Sequence, residues 1–405
     1  HALAAASTPA FRRIVETLKK AQRREMSSAA PPLEDENLLS EILLRLPPLP
    51  STLPRTSLVC KSWRLLVSDP GFIHRFREHH RHSPPLLGYF IHDSRGISYE
   101  PTMDPPDRVP AGRFSLRLDH SYGFSLLGCQ HGLVLISHDL PRQILVWDPV
   151  TGDQHRIAFP PWFDGIKNQI HGGVLRAAGE ADHFQVVLVQ ATIWDKQHLQ
   201  VLACVYSSET GGWGDLILTP IPAPAYCTGL SAVLVGNSLY WRLAGCFCAL
   251  LEFDLERQSL AVIRVPVGEE NSFTVMRAEG GGLGLLSLSG LTAQLWKRNT
   301  DCDGVASWGM GRTIQLDKLL SPYSDETAPL FILGFADENN VVFLTGGDGV
   351  IMVQLESLQS KQLCRIDNIF DQHHHAFESV YAAGIGIGGE HDGAELVGNP
   401  QVIVC

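Results

Sequence analysis

Residues 128–136 read Gly128-Cys129-Gln130-His131-Gly132-Leu133-Val134-Leu135-Ile136, and residues 144–154 read Ile144-Leu145-Val146-Trp147-Asp148-Pro149-Val150-Thr151-Gly152-Asp153-Gln154. These apolar runs are too short for helices. They are rich in β-branched residues and bounded by Gly and Asp-Pro, so they read as strands joined by turns. A further run, Arg156-Ile157-Ala158-Phe159, stops at Pro160-Pro161.

Outward from this passage the same unit recurs. Gly236-Asn237-Ser238-Leu239-Tyr240-Trp241 leads into residues 249–256 and then 261–266. Residues 282–288 lead into 293–297, and residues 334–338 into 341–344 and 350–355. Residues 184–189 and 201–206 make another pair. Trp147, Tyr206, Phe253, Trp296 and Val353 mark equivalent places and are 59, 47, 43 and 57 residues apart. Such spacings, with two hairpins per unit, are those of propeller blades. One blade cannot bury both of its faces, whereas closure into a ring covers all but the outer edges. Residues 86–387 are therefore predicted to form an all-β repeat domain, a β-propeller of about six blades with seven as the upper count. The last apolar stretch, Phe377–Ile385, is expected to pair with the first, Leu86–Ile91, and close the ring. An open sandwich of twisted sheets is the alternative.

Residues 33–82 follow a different period. Leu38, Leu39, Ile42, Leu43 and Leu46 recur at helical spacing behind the acids Glu34, Asp35 and Glu36, and Pro47-Pro48 ends the pattern. A second helix is expected from Ser51/Thr52 through Val67, with Pro54 in its first turn. Asp69-Pro70-Gly71 is expected to break it before a final short helix at Phe72–Phe76. Three short helices in about fifty residues make a marginal free-standing domain. Packing of the stripe on the rest of the chain as a helical cap is the plain reading of such residues.

The stretch from Leu33 to Phe72 resembles an F-box, the adaptor-binding motif of SCF-type ubiquitin ligases, in its plant form. The resemblance rests on Leu33, on Glu41-Ile42-Leu43 with Arg45-Leu46-Pro47, and on Val59-Cys60-Lys61-Ser62-Trp63-Arg64. The family's proline after the first leucine is Glu34 here. The passage Gln130–Leu133 with Trp147–Gly152 is similar to the propeller-like regions that accompany the plant F-box. The resemblance implies a substrate-recognition subunit without catalytic residues of its own. It would dock on a Skp-family adaptor, and through it on cullin and RING subunits, while the β domain binds the target protein. The adaptor contacts it implies are Leu33, Leu38, Ile42, Leu43, Leu46, Pro47, Leu58, Val59, Cys60, Lys61 and Trp63. The competing reading is a β-propeller enzyme or lectin-like binding protein with a helical N-terminal cap.

Composition sets the remaining bounds. The chain has 405 residues, 44 % hydrophobic and 19 % charged, with a net charge of −11. Residues 1–82 hold 13 Lys+Arg against 8 Asp+Glu, and the rest hold 19 against 35. A net −16 over the β region argues against nucleic acid as a partner and favours a basic target surface. The nine cysteines form no CxxC pair, which points to a reducing compartment, the cytoplasm or the nucleus. No membrane span is expected, because the uncharged stretch 216–241 is broken by Pro220, Pro222 and Pro224. Met26 is read as the natural start, with residues 1–25 an upstream extension or a transit-like peptide. Residues 1–32 are expected to be an unfolded extension and linker, and 388–405 a C-terminal tail.

Local motifs yield no chemistry. Consecutive His373, His374 and His375 would point to alternate faces of a strand, so no metal or other cofactor is expected. Cys60 is expected to be a packed thiol in an apolar helix. Asp148, Asp254 and Asp337 are read as turn residues, and Trp147, Trp241 and Trp296 as blade core. Gly280–Gly282 reads as a turn, and Gly384–Gly389 as a flexible tail rather than a phosphate loop.

Overall fold

The computed structural model describes residues 35–93, 96–116, 123–139, 142–163, 170–176, 183–193, 198–222, 225–227, 230–245, 248–268, 271–321, 330–346, 349–365 and 373–382. They form two compact units. One holds helices from 35–47 and 52–79; the other holds residues from 80 onward together with 48–51.

The helical unit contains α1 (Glu36–Leu44), α2 (Thr52–Ser57), α3 (Lys61–Ser68) and α4 (Pro70–His80). Asp35 caps α1, its carboxylate accepting from the Asn37 and Leu38 backbone N–H groups. The expected second helix is instead two. After Ser57 the chain tightens through Leu58 N–Arg55 O and Val59 N–Thr56 O bonds of 3.1 and 3.2 Å. Cys60 is then fully extended (φ −162°, ψ 173°) before α3 starts. Asp69-Pro70-Gly71 breaks the helix as expected, α3 ending at Ser68 with Asp69 extended, and it also starts the next one. Asp69 Oδ2 accepts from the Phe72 N–H at 2.8 Å, and Pro70 takes the first helical position, where its missing N–H costs nothing. Leu39, Leu43, Leu44, Leu46, Leu53, Val67, Phe72 and Phe76 are buried. Arg75 ties α4 to α1 through Ser40 Oγ at 2.8 Å.

The second unit is a ring of six antiparallel sheets, not an open sandwich. Blade 2 comprises Phe124–Gln130, Leu133–His138, Gln143–Trp147 and Gln154–Ala158. In blade 3, Ile170–Arg176, Phe184–Ile193 and His198–Ser207 are followed by Gly212–Trp213 and Ile217–Pro222, both beside the third strand. Blade 4 sets Ala225–Cys227 and Val233–Val235 against Ser238–Gly245, followed by Ala249–Asp254 and Ser259–Arg264. Blade 5 comprises Ser272–Arg277, Leu283–Ser289, Thr292–Thr300 and Ala306–Gln315. Blade 6 comprises Ile332–Ala336, Val341–Gly346, Gly349–Gln354 and Gln359–Arg365. The five marker residues all fall on the third strand of successive blades, which is why their spacing exposed the repeat.

Blade 1 is assembled from both ends of the domain. Leu86–Asp93 and Gly96–Pro101 supply its outer strands, and His375–Glu378 its innermost, with Gly88 opposite Phe377 and Phe90 opposite His375. That innermost strand adjoins the first strands of blades 6 and 2, so the ring closes through the first strand as expected, but with the partner shifted toward the N-terminus: of the expected stretch Phe377–Ile385 only Phe377 and Glu378 pair, beside His375 and Ala376. Adjacent inner strands approach closely at Gly334, where a Cβ would stand 2.0 Å from the His374 carbonyl oxygen.

The period of two along each strand fills the ring. In blade 3, Val186 and Leu188 point toward blade 2, and Val187 and Val189 toward blade 4. An apolar cluster lies between every pair of neighbouring blades. Among the described residues, no helix is long and apolar enough to cross a membrane.

Candidate functional site

The helical unit is too small to enclose all its apolar side chains. Leu58 is 74 % exposed, Leu65 53 %, Val59 51 % and Leu38 43 %. The residues expected at an adaptor surface therefore divide. Leu38, Leu58, Val59, Cys60 and Lys61 are exposed, and Ile42 and Trp63 are half-buried. Pro47 itself is exposed. Leu43 and Leu46 point inward and are buried. On α1 the residues at i and i+4, Leu39 and Leu43, take the core, leaving Leu38 and Ile42 on the next row. Leu33 lies outside the described residues. Leu65 was missed because its place in the α3 stripe reads as core. Cys60 is exposed at the N-terminal edge of α3, so the expected packed thiol is corrected: the split of the helix carries it outside.

In the propeller, polar side chains gather where inner strands run into the first turn of a blade. Arg176, the last residue of blade 3's inner strand, donates from Nη2 to Asp148 Oδ2 at 2.7 Å and from Nε to the His131 carbonyl at 3.0 Å. Its backbone N–H donates to His131 Nδ1. His131 itself sits at φ 52° and Gly132 at φ 73°, the left-handed pair of a tight hairpin turn. Burial pushes the His131 imidazole down to about 4, keeping it neutral and free to accept. Arg277 holds the equivalent place in blade 5. Its Nη2 reaches Asp337 Oδ2 at 2.8 Å and Glu338 Oε1 at 3.0 Å on blade 6. The same blade 6 turn grips blade 1, where Glu378 accepts from the Asn339 N–H and from Asn339 Nδ2 at 2.9 and 2.7 Å. Burial raises the Glu378 carboxyl to about 7 against the pull of those donors. These contacts fasten blade to blade. Asp148 and Asp254 also cap their own turns, accepting from Val150 and Thr151 and from Glu256 and Arg257. Asp337 departs from the turn reading, for its partner is Arg277.

The histidine run alternates as expected. His374 packs against Tyr89, with centroids 4.7 Å apart and the rings tilted by 42°, whereas His375 Nδ1 lies 2.6 Å from Ser231 Oγ. Burial lowers His375 to about 3. Among the described residues, no three His, Cys, Asp or Glu side chains are placed to hold a metal ion. Trp147 and Trp241 are buried in the blades; Trp296 is half-buried, its Nε1 donating to Ser287 Oγ at 3.1 Å. Gly280–Gly282 form the predicted turn, with φ between 78° and 85°. Gly384–Gly389 lie outside the described residues.

A small helical unit with apolar side chains left outside, followed by a six-bladed ring, is the build of an F-box receptor. An F-box domain profile matches residues 35–75, and the profile described as F-box protein AT5G49610-like, beta-propeller matches residues 125–381. The chain belongs to that family of F-box β-propeller proteins. It is 25 % identical over 302 residues to the Arabidopsis thaliana F-box/kelch-repeat protein At1g15680, covering 69 % of this chain and 72 % of that one. To the Arabidopsis F-box protein At5g03970 it is 22 % identical over 249 residues, 58 % of each chain. Among solved structures, the β-propeller domain of Cps50 (Swd1) from Myceliophteria thermophila aligns with 70 % of this chain and 83 % of its own, at 12 % identity and a TM-score of 0.40. The combination of F-box and propeller is in general that of a substrate receptor, and neither matched profile is that of a catalytic family.

Proposed function

We propose that this protein is the substrate-recognition subunit of an SCF-type ubiquitin ligase. The exposed residues Leu38, Leu58, Val59 and Leu65, with Ile42, Pro47, Cys60, Lys61 and Trp63 beside them in sequence, dock on a Skp-family adaptor that links to cullin and RING subunits. The propeller holds a target protein, with a basic surface favoured by the net −16 of residues 83–405. The chain supplies position rather than bond chemistry, bringing target lysines to a ubiquitin-conjugating enzyme. It works in a reducing compartment, the cytoplasm or the nucleus.

The observation that carries this reading is the exposure of four large apolar side chains on the part of the chain that matches an F-box. Four such side chains in one short helical unit fit a protein-binding surface. The test is copurification of the full chain with a Skp-family adaptor. Wild type should copurify, and Leu58→Asp and Trp63→Ala should lose the adaptor while circular dichroism stays unchanged. A folded wild-type chain that fails to bind any such adaptor overturns the reading.

A further inference from the structure

Every open blade ends in an outer strand whose far edge carries unpaired N–H and C=O groups, a template for another chain. Five of the six edges here are blunted. In blade 1, Gly96–Pro101 carries Glu100 and Pro101 and is covered by the short 3₁₀ turn Ala111–Phe114. Blade 2 ends in only five residues, including His155 and Arg156, and Trp213 Nε1 donates to the Ala158 carbonyl at 2.8 Å. Blade 3 ends in a two-residue strand and in Ile217–Pro222, which contains Pro220. The last strand of blade 4 is met by that same blade 3 strand, and its Arg264 carbonyl accepts from Trp308 Nε1 at 2.9 Å. In blade 6, Ser360 Oγ donates to Leu319 O of the helical turn Asp317–Leu320, and Lys361 Nζ is tied to Thr102 O and Asp104 Oδ1.

Blade 5 is the exception. Its outer strand, Ala306–Gln315, has ten residues, only one of them buried, and among the described residues no strand lies beside its far edge. Opposite Leu295 it bulges, two residues (Gly311 and Arg312) facing one. There Gln294 Nε2 serves both bulge carbonyls, and the Arg312 guanidinium turns away to Leu355 O on blade 6. Ahead of the bulge, Ala306-Ser307-Trp308-Gly309-Met310 pairs regularly with Thr300–Trp296 and contains neither charge nor proline. Trp308 and Met310 share a face by the period of two. Met310 is 67 % exposed, and Val305, just before the strand, 61 %.

We infer that the edge Ala306–Met310 is the docking strand for an extended segment of a target polypeptide, which adds a fifth strand to blade 5. The occupant is set by the chemistry of the surface. Alternating donors and acceptors, unpaired among the described residues, are matched by a peptide backbone in β conformation; Trp308 and Met310, the strand's own apolar side chains on one face beside Arg298 of the neighbouring strand, select apolar side chains at alternate positions of that segment. The inference deepens the receptor reading and rests on it, since it names what the receptor holds and where.

The test uses the full chain. Twelve-residue peptides selected from a displayed random library are synthesised with a fluorophore and titrated by anisotropy, with amide exchange followed in the same complex. A selected peptide should slow exchange within residues 306–310. Methylating alternate backbone nitrogens of the peptide should weaken binding about tenfold in one phase of alternation and little in the other. Ser307→Pro should weaken binding about tenfold; Met310→Lys, at an exposed side chain that leaves the fold intact, should do so as well. Protection confined to other strands, wild-type affinity in both variants, or failure to select any peptide overturns the inference. So does a doubled mass in solution that Met310→Lys restores to one chain, which would give the edge to a second copy. Adaptor copurification is scored separately, so a failed receptor reading and a failed docking strand are told apart.

Discussion

The helical unit and the propeller handle apolar surface in opposite ways. In the helical unit a short stripe is divided: Leu39 and Leu43 go inside while Leu38, Leu58, Val59 and Leu65 stay out. In the propeller the inner and middle strands bury both of their faces, because a neighbouring blade stands on either side, and what remains outside is mostly turn and outer strand. Fifty residues of short helices lack the volume to enclose their leucines, whereas a closed ring has no uncovered sheet face. The first unit thus offers side chains to a partner as it stands. The second can do so only at its rims and at an edge left open.

The largest effect should come from the seam of the ring. Phe377 is fully buried against Phe90, Tyr99 and Phe114. Phe377→Ala should lower the unfolding free energy by about 3–5 kcal/mol, read by chemical denaturation. A smaller loss would mean that the seam is not where the ring is held. The neighbouring Glu378 gives the next effect and has a sign. Its carboxyl is raised from 4.5 to about 7 in the folded chain, so the unfolded state gives up its proton first as pH rises. Stability from this group is therefore fully present below about pH 4.5 and is lost as pH climbs to 7. Glu378→Gln should flatten that loss, on the order of 1–2 kcal/mol, in melts compared at pH 5 and 7.5. A wild-type curve with the same slope as the variant's would show that Glu378 titrates normally.

A comparable cost is expected at the blade 2–blade 3 latch. Asp148→Asn keeps the turn acceptor but removes the charge facing Arg176, and should cost about 1 kcal/mol, visible as a lowered melting temperature that added salt partly masks in the wild type. Smallest in stability is Leu58→Ser, within about 0.5 kcal/mol, because the side chain is 74 % exposed. Adaptor affinity should fall all the same. If Leu58→Ser destabilises the chain as a core substitution would, the contrast between the two units is lost.

The same contrast explains what could be read from residue order. Strand punctuation and marker spacing gave the blades, and the closure of the ring on residues 86–90 to within a few residues of the partner strand, because strand signals are local and repeat around the ring. The helical unit was harder. Its apolar residues carry one periodicity whether they face inward or outward, so Leu43 and Leu46 could not be told from Leu38, nor the extended Cys60 from a helical one. The Asp69-Pro70 pair reads equally well as a stop for one helix and as a cap for the next. Arg176, Arg277 and Glu378 were invisible as partners, since their contacts join turns 28 to 61 positions apart. The open edge of blade 5 could be recognised only by comparison with five others.

The strand that completes blade 1 is also, among the described strands, the last to be synthesised. When residues 86–365 have been made, the strands of blades 2 to 6 are all present in the chain, whereas the first blade lacks its inner strand until His375–Glu378 are added. Leu86–Asp93 has Gly96–Pro101 beside it at once but must wait for its second partner nearly three hundred residues downstream, the kind of contact that makes folding slow. The apolar residues of blade 1 that face Phe377 stay uncovered throughout that interval. A chain cut short before residue 375 would be a nearly whole protein with an open seam, and quality control would meet it as a sticky intermediate rather than as a smaller propeller.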